Sequence, residues 1–279
     1  MAIISFWSGH KKQSGQTLSM LAIATQMSIQ HNMRCLVIDA TFDDDTIERA
    51  YWKVTGKKDV AKSLNKGKID LASGAEGLVS AVASNKTSPE IIANYTKVVF
   101  KNRLDILLGL KTKDYKLYEK SLSLYKDMVM AANRYYDMVF VDLPKTQDSE
   151  ITKELLECSN INFYVMPQNM KLIEEFLKFR MEDPLYQKGN MLPFLSNADS
   201  NSKYNVNNFS KFIGEKRKIC YVPNSFQYME AASESGVANF FLKTRLSSSK
   251  TDPNSLFVKA IDESCEKIIE KLQEMQLKV

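Results

Sequence analysis

The chain has 279 residues, 44% hydrophobic and 25% charged, with a formal net charge of +5. That length supports a large α/β core, and a charge so mild does not by itself mark a nucleic-acid binder, though it permits weak, salt-sensitive contact with DNA or an anionic membrane. No apolar run approaches the ~20 residues that span a bilayer, and the opening Met1 to Trp7 is too short and uncharged for a signal peptide. Cys35, Cys158, Cys220 and Cys265 show no paired spacing, and His10 and His31 are the only histidines. Reduced core thiols, little scope for a metal site on histidine or cysteine and a cytoplasmic protein are the expectation.

In chain order, Ile3, Ile4 and Phe6 read as a buried strand that runs into a turn-forming loop. A helix follows from about Thr17, with Met20, Leu21, Ile23, Ala24, Met27 and Ile29 at helical spacing. Arg34 to Asp39 is a continuous apolar run ending in aspartate, as buried parallel strands do, and Thr41 to Asp45 is an acidic loop. Residues 46–68 are polar and lysine-rich around a weak helical pattern. A short helix over Leu78 to Ala83, a strand over Arg103 to Gly109 and a helix over Leu117 to Arg134 come next. Tyr136 to Asp142 is a second buried strand ending in aspartate.

The pattern continues with a helix over Ile151 to Cys158, a strand over Ile161 to Met166 and a helix over Lys171 to Phe179. A strand over Met191 to Leu195 leads into the polar loop Ser196 to Asn208. The last strand is Ile219 to Val222, and Ser255 to Gln276 forms a long amphipathic helix. Alternating strands and helices predict an α/β, doubly wound, mostly parallel sheet with helices on both faces. No linker rich in Gly, Pro or Ser and no internal repeat divides it, so a single domain over residues 1–279 is expected.

A strand running into a loop and a helix start is the phosphate-binding arrangement, because backbone N–H groups and the helix dipole converge there. The loop ends Gly15-Gln16-Thr17, where a P-loop ends Gly-Lys-Ser/Thr, and His10 stands where the first motif glycine belongs. Three features fall at predicted strand ends in chain order: this loop, Asp39 and Asp142. In P-loop proteins those places hold phosphates, the attacking water or Mg²⁺, and Mg²⁺ again.

On these residues the chain resembles the ParA/MinD family of deviant-Walker-A ATPases. The family loop Lys-Gly-Gly-x-Gly-Lys-Thr is matched by Lys11, Lys12, Gln13, Ser14, Gly15, Gln16 and Thr17. Further matches are LVID at 36–39, EGL at 76–78, RLDILLG at 103–109, YDMVFVDLP at 136–144 and VPNSFQYMEAASESG at 222–236. The resemblance implies ATP and Mg²⁺ as cofactors. Phosphate contacts would come from Lys11, Lys12, Ser14, Gly15, Gln16 and Thr17, an adenine contact from Asn197, and metal ligands from Thr17 and Asp142. Lys11 takes the place of the family lysine that reaches the partner's nucleotide in a homodimer.

The departures are specific. Gln16 replaces the principal phosphate lysine and supplies no cation. Lys12 and Gln13 replace two family glycines, so the backbone wraps a pyrophosphate less closely. The family's Asp-x-Asp is Asp39-Ala40-Thr41, without its second aspartate. No catalytic residue is fixed; the candidates are Lys11, Asp39 and Asp43, with Asp44 or Asp45 as further substitutes for the missing aspartate if the loop is displaced. The loss of one charge-assisted contact costs about 1.5–3 kcal/mol, one to two decades of affinity. Weak ATP binding, or none, with at most weak hydrolysis is the expectation.

The resemblance implies a positioning or partitioning protein that dimerises and recruits a protein partner: plasmid or chromosome partition, or localisation of a pilus, secretion or conjugation apparatus. Two alternatives stand beside it. One is a competent partition ATPase on nonspecific DNA, with Lys211, Lys216, Arg217 and Lys218 as a small basic cluster that otherwise reads as a solvated face. The other is a nucleotide-free interaction platform. The stripe Phe257, Ile261, Cys265, Ile268, Leu272 and Met275 predicts that the last helix docks on the domain rather than on a membrane.

Overall fold

The structure is a computed structural model that describes residues 1–9, 14–53, 74–75, 77–78, 89–144, 150–187, 189–216, 219–246 and 251–276. Among them, eight strands form one sheet: β1 (Ala2–Trp7), β2 (Cys35–Asp39), β3 (Lys97–Phe100), β4 (Leu104–Leu107), β5 (Met138–Asp142), β6 (Ile161–Met166), β7 (Met191–Ala198) and β8 (Cys220–Pro223). Across the sheet they run β3-β4-β2-β5-β1-β6-β7-β8. Every pairing is parallel except β3 with β4. β1 is central, with β2 to β5 on one side and β6 to β8 on the other. The loop after β1 thus leaves the sheet at its topological switch point, where open α/β sheets bind ligands.

Helices described end to end are α1 (Gln16–Gln30), α2 (Thr46–Tyr51), α3 (Tyr115–Leu122), α4 (Tyr125–Ala132), α5 (Glu150–Cys158), α6 (Met170–Glu182), α7 (Pro184–Gln187), α8 (Val206–Phe212), α9 (Phe226–Ser233), α10 (Val237–Leu246) and α11 (Pro253–Gln276), with a 3₁₀ helix over Pro89–Tyr95. All residues of β1, β2, β5 and β6 are buried, which explains their near-continuous apolar runs, interrupted by the buried polar residues Ser5 and Asn162. Alternate residues feed two cores, one per face. Ile4, Phe6, Val37 and Phe163 pack with Met20 and Ile23 of α1 and with Phe257, Ile261, Cys265 and Ile268 of α11. Ile3, Trp7, Ile38 and Tyr164 pack with Met128, Leu155, Ile173 and Phe209 on the other face. The predicted α11 stripe therefore docks on the sheet, with Leu272 and Met275 partly buried beside it.

α11 also closes the sheet edge. The Ser264 hydroxyl accepts from the Tyr221 N–H at 3.1 Å and donates to the Tyr221 carbonyl at 2.9 Å, while Lys267 Nζ donates to the Ile219 carbonyl at 3.4 Å. The outward-facing backbone of β8 is thus answered by side chains instead of a ninth strand.

Several predicted boundaries differ. The helix expected over 117–134 is two, α3 and α4, separated by a turn at Ser123 and Leu124 in which the Leu124 N–H donates to the Ser121 carbonyl at 3.1 Å and the Ser123 hydroxyl to the Lys120 carbonyl at 2.7 Å. β7 runs three residues past Leu195, and α8 begins inside the expected polar loop, capped by Asn205, and runs on to Phe212. β3, α9 and α10 were not expected at all. Of the weak pattern over 46–68 only α2 is described, and of the helix over 78–83 only Leu78 is; the remainder lies outside the described residues. Cys35, Cys220 and Cys265 are buried free thiols, and burial pushes Cys220 up to about 12, so it is an inert core residue. No described helix is long and apolar enough to cross a membrane.

Candidate functional site

Between the buried end of β1 and the start of α1, the described residues are Ser8, Gly9, Ser14 and Gly15. Gly15 is the residue before α1, at φ +71°. A Cβ there would lie 2.9 Å from Ser196 Cβ and 3.1 Å from Asn197 Nδ2, so both the backbone and the close approach of β7 require glycine. The Ser196 hydroxyl donates to the Ser14 carbonyl at 2.5 Å and pins the loop to β7. No side chain caps α1, so the first-turn amides that a capping side chain would satisfy keep their capacity to donate. Beside them the Ser14 hydroxyl is 2% exposed and has no hydrogen-bond partner.

Gln16 does not point out along a ligand path. It is 1% exposed, and its Nε2 donates to Asp142 Oδ1 at 2.7 Å and to the Leu143 carbonyl at 2.8 Å. Its Oε1 is buried without a partner. Thr17 Oγ1 donates to the other carboxylate oxygen, Asp142 Oδ2, at 2.6 Å. Asp142, fully buried at the end of β5, therefore takes a neutral donor on each oxygen.

Asp39 at the end of β2 is the register partner of Asp142. Burial pushes its carboxyl up to about 7; hydrogen bonds from Thr41 oppose this and the Asp142 charge adds to it. Thr41 donates to Asp39 Oδ1 from its hydroxyl at 2.6 Å and its N–H at 3.0 Å. Gly109 lies so close that a Cβ would meet Asp39 Cγ at 3.0 Å. Two tyrosines hold the strand end: Tyr118 donates to the Ala40 carbonyl at 2.7 Å and Tyr125 to the Asp39 carbonyl at 3.2 Å.

The structure thus brings together Ser14, Gly15, Gln16, Thr17 and Asp142, with Asp39 on the neighbouring strand. Asn197 is exposed at φ +48° with its amide beside Gly15, where the adenine contact was expected. Asp43 is exposed, also at φ +48°, and no described hydrogen bond joins it to the cluster. Asp44 accepts from the Thr46 N–H at 2.8 Å and Asp45 pairs with Arg49 at 2.7 Å, so both carboxylates are engaged at the start of α2. Lys11 and Lys12, with His10 and Gln13, lie outside the described residues.

Sequence reasoning missed Ser196, whose small hydroxyl holds the loop, and the clasp made by Gln168. The Gln168 amide donates to the carbonyls of Asp199 and Tyr204 at 2.9 and 3.1 Å and accepts from the Asp199 N–H at 2.9 Å. It therefore fastens the loop after β6 to the loop after β7. Asn169 beside it is an ordinary helix cap, accepting from the Lys171 N–H at 3.0 Å. The uncommitted polar pair after Pro167 was the only trace of this clasp in the sequence.

These residues fit one half of a Mg²⁺–nucleotide site. Uncapped amides, Gly15 and the orphaned Ser14 hydroxyl suit a phosphate group. The metal half is the poorer fit: Asp142 is fully buried with a donor from Gln16 or Thr17 on each oxygen, and residues 14–17 include no cationic side chain. No group of three or more His, Cys, Asp or Glu side chains placed to hold a metal ion occurs among the described residues.

The fold is that of the ParA/MinD P-loop ATPases. A ParA family ATPase from Chlorobium tepidum superposes with a TM-score of 0.66 at 16% identity, covering 94% of this chain and 97% of that one. The cell division ATPase MinD from Pyrococcus furiosus gives 0.65 at 12% identity, covering 96% and 99%. A plasmid partition protein from Borrelia burgdorferi bound to AMPPNP gives 0.58 at 16% identity, covering 99% and 98%. No protein-family model matches the chain, and no curated protein matches it in sequence.

Proposed function

We propose that this chain is a ParA/MinD-like positioning or partitioning protein with a degenerate ATP site, acting as a homodimer that recruits a protein partner. One observation carries the reading: the side chain at the phosphate-lysine position, Gln16, is spent inside the protein on Asp142 and Leu143. A scaffold needs the fold and its surfaces; a fast ATPase needs the lysine and a second aspartate, and Thr41 in that second place is committed to Asp39. The similarity over nearly the whole length of partition and cell division ATPases supports a role in placing cargo or apparatus. A MinD from Aquifex aeolicus is known in complex with MinC, which supports a protein partner here.

The test is molar mass by light scattering with and without Mg²⁺–ATP, together with ATP turnover. The expected result is a dimer of unchanged mass in both conditions and turnover at background. Dimerisation that appears only with ATP and is followed by hydrolysis would establish the competent ATPase instead. A monomer in both conditions would remove the scaffold reading. Salt-dependent binding to random-sequence DNA would identify nucleic acid as the surface on which it works.

A further inference from the structure

We infer that the Gln16 carboxamide takes a metal's place at Asp142, so that the loop holds a phosphate group without a divalent cation. The inference rests on the reading of this loop as a degenerate nucleotide site.

The anion half is built. α1 is 15 residues long and begins without a side-chain cap, which leaves its first-turn amides and the positive end of its dipole available. The Ser14 hydroxyl, 2% exposed and unpartnered, adds a buried donor at the same place. A buried hydroxyl without a partner is uncommon in a folded protein and points to a ligand that completes it.

The metal half is closed, and Gln16 cannot easily reopen it. Rotating its amide by half a turn would set Oε1 against Asp142 Oδ1 and the Leu143 carbonyl, two acceptors now 2.7 and 2.8 Å from Nε2. Only one orientation of the amide is tolerated, so its nitrogen stays on Asp142. Thr17 holds the other oxygen at 2.6 Å. With Asp142 fully buried beneath Gln16, a divalent ion reaches the carboxylate only if the amide moves, and a neutral amide offers a triphosphate no charge in return. A group of lower charge, the terminal phosphate of a nucleoside diphosphate or free inorganic phosphate, suits amides and one hydroxyl.

Calorimetric titration of ADP and of inorganic phosphate, each in EDTA and in millimolar Mg²⁺, tests this, with thermal unfolding in parallel. The expected result is binding of at least one of them with affinities in the two media that agree within about three-fold. ADP binding much tighter than phosphate identifies a nucleoside diphosphate as the source; equal binding identifies free phosphate. Ser14→Ala should weaken binding by about ten-fold in both media. Gln16→Lys should make the affinity for ATP rise on adding Mg²⁺, which the wild type does not show. No heat and no thermal shift with either anion overturns the inference, as does binding lost in EDTA. A persistent dimer beside a failed titration leaves the scaffold reading standing, whereas a monomer that binds phosphate sinks that reading alone.

Discussion

Gln16 Nε2 lies 2.7 Å from Asp142 Oδ1 and 2.8 Å from the Leu143 carbonyl oxygen, so one side chain at the start of α1 staples the end of β5 and the first residue beyond it. Gln16→Ala should lower stability by about 1–3 kcal/mol, because it takes a donor from a buried carboxylate and from a backbone carbonyl. Gln16→Glu should cost more at pH 8, where two carboxylates would face each other. Urea unfolding measures both. An alanine variant as stable as wild type would mean that the staple contributes nothing.

Asp39 sets a pH dependence. Its carboxyl is raised to about 7 in the folded protein from a reference of 3.8, so the folded state holds the proton that the unfolded state has released. Stability is then greatest below about pH 4 for this group and falls as pH rises through about 7, by at most about 4 kcal/mol. Asp39→Asn keeps an oxygen for Thr41 and removes the titration. The stability of wild type relative to the variant should decline between pH 4 and 8, and a flat difference would contradict the burial of this carboxyl as the cause.

Gly15 and Gly189 share a left-handed backbone, φ +71° and +75°, but not their surroundings. A Cβ on Gly15 meets Ser196 at 2.9 Å, while one on Gly189 meets nothing within 4 Å. Gly189→Ala should cost only the backbone strain, about 1 kcal/mol. Gly15→Ala should cost about 1–3 kcal/mol more, by pushing β7 off the loop and stretching the Ser196–Ser14 bond. Denaturant midpoints for the two variants separate the steric part from the strain.

Ser264, fully buried on α11, holds both backbone groups of Tyr221. Ser264→Ala should lower stability by about 1–3 kcal/mol and speed hydrogen exchange at the Tyr221 amide more than at the amides of β1. Uniform protection in the variant would show that α11 shields the edge by packing alone.

The sequence was most legible where burial is two-sided. β1, β2, β5 and β6 carry near-continuous apolar runs, and the aspartates that end β2 and β5 mark the carboxyl edge of the sheet. β3 was illegible because Lys97-Val-Val-Phe100 is four residues on an edge, with Val98 55% exposed, and carries no two-sided pattern. The site was half legible. Spacing alone located Gly15, Thr17, Asp39 and Asp142, but nothing in a linear motif says that Gln16 turns inward. That depends on a carboxylate 126 residues away lying within reach. Ser196 was read as loop for a similar reason: its hydroxyl serves a carbonyl 182 residues earlier.

The two-way bond of Ser264 also imposes an order on how the molecule is made. Tyr221 is synthesised 43 residues before the side chain that covers it. A chain that lacks Ser264 carries β8 with a bare edge, able to pair with any extended chain nearby. A ribosome that stalls between the two residues, or a protease that removes α11, would release a product with an otherwise complete sheet and a sticky rim. For such a product the hazard is self-association in the wrong register, so the final helix works as a quality mark as much as a piece of the core.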